Sequence, residues 1–157
     1  MSINRVYGDS KGLALSGRWT YVLTGPDGAE KDRRTGTNVV CTNGKEFLAS
    51  FLYSAAVAAS TFTCRYVAIG TDATAEAAAN TALGTELARV SGVVSYVSGQ
   101  IYRLTGTFPA GTGTGAIVEY GVFSSLTAGT LLNRDTEAVI NKGAGDTLQA
   151  SCELTIS

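Results

Sequence analysis

One stretch constrains the chain more than any other: Asn38-Val-Val-Cys-Thr-Asn-Gly-Lys-Glu-Phe-Leu-Ala-Ser-Phe-Leu-Tyr-Ser-Ala-Ala-Val57. Phe47, Leu48, Phe51, Leu52, Ala55 and Ala56 recur at helical spacing and make one apolar stripe. Lys45, Glu46, Ser50 and Ser54 fall mostly on the opposite side. Asn43 stands where a capping side chain accepts from the first free amides, and Glu46 three residues on can reach back. The pattern predicts a helix over 43–58. At about sixteen residues it spans roughly 24 Å, enough to cover one face of a small sheet. It is the one convincing amphipathic helix, so the rest of the chain must be built mainly from strands.

Short alternating runs separated by glycine turns supply them. Residues 18–24 place Trp19, Tyr21 and Leu23 on one side, and Gly25-Pro-Asp-Gly28 turns the chain into a polar return strand at 29–35. Residues 37–41 then feed the helix. Further strands are predicted at 62–69, 116–123, 130–134, 138–140 and 147–156, with a hairpin of 90–97 and 100–108 across Ser98-Gly99. The alanine-rich 73–84 has helical propensity, but Leu83 is its one large apolar anchor, so it is expected as a surface loop. Strands at about ten-residue spacing favour an antiparallel β-sandwich with one amphipathic α-helix packed on it. Trp19, Phe47, Leu48, Phe51, Leu52, Tyr66, Leu83, Val122 and Leu154 are its expected core.

At 157 residues the chain fits one domain, read as 18–157, preceded by residues 1–17. That leading segment mixes Ile3, Val6, Tyr7, Leu13 and Leu15 with glycines. It is either an irregular first strand or an arm that orders against a partner. On the second reading those five residues are the contact surface.

Composition removes several kinds of chemistry. Histidine is absent, which excludes Ser-His-Asp and Cys-His catalysis in their usual forms. Cys41, Cys64 and Cys152 are widely spaced and lack a C-x-x-C pair, so they read as buried thiols rather than zinc ligands, with an intersubunit disulfide as the alternative. A net charge of −1 without a basic run argues against a nucleic-acid partner. The N-terminus lacks the apolar centre of a signal peptide, and no apolar run is long enough for a membrane span. The chain is therefore expected to be made and kept soluble in a cytosol.

Glu119, flanked by Ile117, Val118, Tyr120 and Val122, is read as facing solvent from a half-buried strand rather than as a buried acid. Gly111-Thr-Gly-Thr-Gly115 lacks the Gly-Lys-Ser/Thr ending of a phosphate loop, and Asp72 and Asp146 lack calcium-loop spacing. Glu86 and Arg89 are expected to form a local ion pair. No catalytic residue, cofactor or metal ligand is predicted.

The serial order of motifs carries one likeness. A strand pair around Pro-Asp-Gly leads to Asn38-Val-Val-Cys-Thr-Asn-Gly-Lys-Glu-Phe-Leu-Ala, then Tyr66-Val-Ala-Ile-Gly-Thr71. Thr81-Ala-Leu-Gly-Thr-Glu-Leu-Ala-Arg89, Ile117-Val-Glu-Tyr-Gly-Val-Phe123, Leu131-Leu-Asn-Arg134 and a last alternating strand follow. Over roughly residues 18–156 this order resembles small virion structural proteins of tailed bacteriophages, and is similar to the N-terminal attachment domain of tail-collar and tail-fibre proteins. The resemblance implies a non-enzymatic, multi-copy β-sandwich of the tail, baseplate or fibre-attachment region, made in the bacterial host cytoplasm and carried in the virion. Implied partners are other copies of itself and tail, baseplate or major capsid proteins, with no nucleic acid or membrane. The chain ends at Ser157, where a fibre would continue into a shaft, which favours a stand-alone piece docked on a larger assembly. Capsid decoration is the alternative placement. Trp19, Tyr21, Tyr53, Tyr96, Tyr102 and Tyr120 keep a carbohydrate-binding module in view, and a carboxylate-pair enzyme is the third class.

Overall fold

The computed structural model describes residues 14–53, 64–98 and 101–156, apart from the side chains of 49–53, 96 and 98. The elements run β1 (Leu15–Thr24), β2 (Glu30–Val40), α1 (Thr42–Tyr53), β3 (Tyr66–Gly70), β4 (Glu86–Ser91), β5 (Val93–Ser98), β6 (Ile101–Phe108), β7 (Gly115–Phe123), β8 (Leu131–Lys142) and β9 (Thr147–Ile156). The fold is mainly β. All pairings are antiparallel, in one nine-stranded sheet of order β4-β3-β7-β8-β2-β1-β9-β6-β5.

The sheet is nearly closed into a barrel, where the strand spacing alone suggests a two-sheet sandwich. Its halves, β4-β3-β7-β8 and β2-β1-β9-β6-β5, meet through two residue pairs, Val39↔Arg134 and Val40↔Asn133. On the far side Gly92 alone separates β4 from β5, and its N–H donates to the Arg65 carbonyl at 2.6 Å. A bend at one residue carries the chain from one half to the other, as at the corners of orthogonal β packings. Across the interior, β6 meets β3 at Gly106, where a Cβ would sit 2.6 Å from Val67 Cβ. Only glycine permits that approach.

Period-two alternation fills the interior. Trp19, Tyr21 and Leu23 of β1, Leu104 and Phe108 of β6, Ile117, Tyr120 and Val122 of β7, and Leu148, Ala150 and Cys152 of β9 form one core cluster. A second cluster, of Cys41, Ala68, Leu83, Phe123 and Leu131, gathers β3, β7 and β8 with the loop 71–85. That segment is a loop despite its helical propensity, as its single large apolar residue led one to expect, and Leu83 is its buried anchor.

The tight turn after β1 forms as read, with the Gly28 N–H donating to the Gly25 carbonyl at 3.0 Å. Other boundaries differ. The helix starts at Thr42, so Asn43 lies inside it and does not cap it. Lys45 N donates to Cys41 O at 3.1 Å, which makes Cys41 the capping residue. Neighbouring amides find tertiary partners instead of a capping side chain: Cys41 N reaches Leu132 O at 3.0 Å, and Thr42 N reaches Ala78 O at 2.7 Å. Gly44 is what lets the helix sit this close to β8, since a Cβ there would lie 2.2 Å from Leu132 O. The helix is described to Tyr53, and its expected extension to 58 lies outside the described residues.

Residues 130–134 and 138–140, read as two strands, are one twelve-residue β8. Val90 belongs to β4, a strand the sequence reading merged into the following hairpin. β1 begins at Leu15, so residues 15–17 of the leading segment are strand, with Leu15 paired to Ile156. Ile3, Val6, Tyr7 and Leu13 lie outside the described residues.

Candidate functional site

Among residues expected in the core, Trp19 and Val122 are fully buried, and Leu154 and Leu83 nearly so. Leu48 and Tyr66 are half-buried against the two clusters. Phe47 is half-buried, and the side chains of Phe51 and Leu52 are outside the described set. Phe47 and Leu48 line an apolar groove of about 300 Å³ with Cys64, Tyr102, Leu132, Leu154 and Ile156.

Glu119 overturns its solvent-facing reading. The side chain is 0% exposed. Its carboxylate accepts from Arg134 Nη2 at 2.9 Å and from three backbone amides: Gly84 N at 2.8 Å, Thr85 N at 2.7 Å and Asp72 N at 3.2 Å. Burial of a carboxylate is costly unless charge and hydrogen bonds satisfy it, and here both do. Arg134 also reaches Asn80 Oδ1 and the Ala75 carbonyl, each at 3.4 Å. One buried ion pair thus ties loop 71–85 to β7 and β8. Both Glu119 carboxylate oxygens are engaged in this network.

A second polar centre lies where β2 and β8 separate beyond their two-pair joint. Asp135 and Glu137 lie on one face of β8 and both approach Gly36, within 2.9 and 2.1 Å of where a Cβ would stand. The Tyr21 hydroxyl donates to Asp135 Oδ2. Tyr21 stacks on Tyr120 at 3.9 Å between centroids and on Trp19 at 5.8 Å. Burial pushes Asp135 up to about 7 against the lowering effect of the Tyr21 bond, and the Glu137 and Glu76 carboxylates add to the rise. Burial likewise raises Tyr21 and Tyr120. A carboxyl protonated near neutrality suits a general acid. Asp135 is only 1% exposed, however, and is held by Tyr21, so no dissolved substrate reaches it.

Glu86 and Arg89 form their ion pair at 2.5 Å, and Arg89 also caps the Ser125 and Ala128 carbonyls and lies 3.5 Å from the Phe123 ring centroid. Asp146 pairs with Lys31 at 2.8 Å and accepts from Gly143 N, which hold its carboxyl below the usual range. Asp72 caps its own turn through Thr74. All three cysteines are free. Cys41 and Cys152 are buried, out of reach of another subunit, and burial pushes Cys152 and the half-buried Cys64 up to about 12. Among the described residues no group of three His, Cys, Asp or Glu converges to hold a metal ion.

Sequence reasoning missed Arg134, Asp135 and Lys142, all buried. The available signal was an opposite charge in each of two neighbouring apolar strands, Glu119 and Arg134. Lys142 donates to the Pro109 carbonyl at 3.0 Å, a pairing no motif announces.

Among the described residues, exposed apolar side chains gather on β5, an edge strand. Val93 is 73% exposed, and Val94 and Val97 are each more than a third exposed. Compared with known proteins, the chain matches no family model, no curated protein and no solved structure.

Proposed function

We propose that the chain is a non-enzymatic structural protein of a tailed-bacteriophage virion, present in many copies in the tail, baseplate or fibre-attachment region. The serial order of motifs over roughly residues 18–156 supports the class. One geometric observation carries the assembly role: β5 holds three exposed valines on an edge strand that pairs only with β6 among the described residues. Charge and proline are two of the devices that keep an edge from recruiting another strand, and residues 93–98 carry neither, although the strand bulges between Tyr96 and Ser98. In this reading the two halves of the sheet serve as the layers of a sandwich, and apolar surface buried between subunits drives docking at about 25 cal/mol per Å² before association costs. The partners are further copies and neighbouring tail, baseplate or capsid proteins.

The carbohydrate-binding alternative loses three of its rings. Trp19, Tyr21 and Tyr120 stack on one another in the interior, and the Tyr102 hydroxyl is held by the Cys64 carbonyl. Imaging purified particles carrying a label at Ser157 tests the proposal. Label at the tail supports it, label spread over the head moves the protein to capsid decoration, and particles without label sink it. Deleting residues 2–12 asks whether Ile3, Val6 and Tyr7 belong to the contact: particles filled to normal occupancy by the shortened chain would exclude them.

A further inference from the structure

We propose that the gap between β2 and β8 is a pH-operated seam in the barrel wall: when Asp135 gives up its proton, water enters and the two strands part from the Gly36 side. The device belongs to the single chain and does not depend on the assembly the chain joins.

The wall is thinnest here. β2 and β8 share two residue pairs, Val39↔Arg134 and Val40↔Asn133, the shortest pairing in the sheet among the described residues. One end of the joint is pinned, because Cys41 N donates to Leu132 O at 3.0 Å where α1 begins. Beyond Arg134, one hydrogen bond crosses between the two strands among the described residues, from Arg34 Nη1 to the Ala138 carbonyl at 2.5 Å. An open polar groove of about 580 Å³, lined by Arg18, Thr35, Gly36, Thr37 and Glu137, brings solvent to this gap.

Carboxylates crowd the same place. Asp135 and Glu137 both approach Gly36, which has no side chain to hold them off. Glu76 of the loop 71–85 stands beside them and accepts from Thr136 Oγ1. The other titratable and charged groups around this centre are Tyr21 of β1, Asp32 and Arg34 of β2, Tyr120 of β7 and Cys152 of β9. Arg34 is already committed, to Asp32 at 2.7 Å and to the Ala138 carbonyl. Arg134, next to Asp135 in sequence, is committed to Glu119. An ionised Asp135 in the closed seam therefore has the Tyr21 hydroxyl but no bonded cation among the described residues. Buried charge without such a partner draws in water.

Burial raises the closed-state Asp135 to about 7 against the Tyr21 bond, and the Glu137 and Glu76 charges add to the rise. A solvated aspartate titrates near about 3.9. Opening therefore releases a proton to water and becomes more frequent as pH rises. The gain is at most about tenfold per pH unit between about 4 and 7, and it stops above 7, where the closed form is ionised as well.

Amide hydrogen exchange of the full chain tests this, corrected for the intrinsic rate and followed from about pH 5 to 8 at several low denaturant concentrations. Amides of the Val39–Val40 and Asn133–Arg134 joint should open about tenfold or more often at pH 7 than at pH 5, then level off. The rise should be insensitive to denaturant, because a local opening exposes little surface. Asp135→Asn keeps the oxygen that accepts from Tyr21 and cannot ionise, so its curve should be flat. Exchange that rises with pH only through denaturant-sensitive opening is global unfolding, and overturns the proposal. A flat curve for the wild type, or the same rise in Asp135→Asn, overturns it too. Should Asp135→Asn fail to fold, Glu137→Gln takes its place. Removing that neighbouring charge lowers the closed-state value of Asp135, so the curve should level off at a lower pH, and an unmoved curve sinks the seam.

Discussion

Among the described residues, two arginine–glutamate pairs bridge neighbouring strands, and their surroundings give them different work. Arg103 of β6 and Glu153 of β9 face each other directly, with side chains 40% and 26% exposed. Arg134 of β8 and Glu119 of β7 sit diagonally, at 2% and 0%. The difference comes from what lies outside each half of the sheet. Loop 71–85 covers the β3-β7-β8 half, and its amides complete the coordination of Glu119. At the β6–β9 pair, side chains reach solvent. A charge pair can anchor a loop only where water no longer competes for it.

Breaking the covered pair should show the largest effect. Arg134→Met leaves Glu119 buried without its charge partner, and a loss of about 3–5 kcal/mol is expected in chemical denaturation. Hydrogen exchange should rise first across 71–85, because that loop hangs on the same carboxylate. If unfolding shifts while 71–85 keeps its protection, the loop is held by Leu83 and its apolar neighbours instead.

Asp135 probes the boundary between the halves. Its folded pKa is about 7, above the unfolded value of about 3.9. Between those values the folded protein keeps a proton that the unfolded chain has released. Stability from this group is therefore full below about pH 4 and falls as pH rises towards 7, by as much as about 4 kcal/mol. Asp135→Asn should remove that slope, and the variant should gain on the wild type as pH rises. Parallel stability curves for the two proteins across this window would show that Asp135 ionises freely.

The smallest effect belongs to the open pair. Arg103→Ala should cost less than about 1 kcal/mol, since water screens partners this exposed. A cost as large as that of Arg134→Met would erase the distinction between covered and open faces.

Legibility followed the range of the interactions involved. Trp19-Thr-Tyr-Val-Leu23 and Leu148-Gln-Ala-Ser-Cys152 display their buried faces in the alternation itself, because a strand's side-chain period is a local property. Residues 131–135 could not be read that way. All five are buried in succession, since the interior takes one face of β8 and the far-off segment 71–85 takes the other. The capping of α1 was equally hidden: Asn43 has the right chemistry, but Leu132 and Ala78 supply the carbonyls that make a side-chain cap unnecessary.

What the residues alone determined is the β character, the one helix among the described residues, the turn at Gly25–Gly28 and the inward sides of β1 and β9. These follow from backbone geometry and period-two patterning within a few residues. Closure of the sheet towards a barrel, burial of Glu119 and the raised carboxyl of Asp135 were decided by tertiary structure. Each depends on which distant groups exclude water from a position, and no short stretch of chain carries that information.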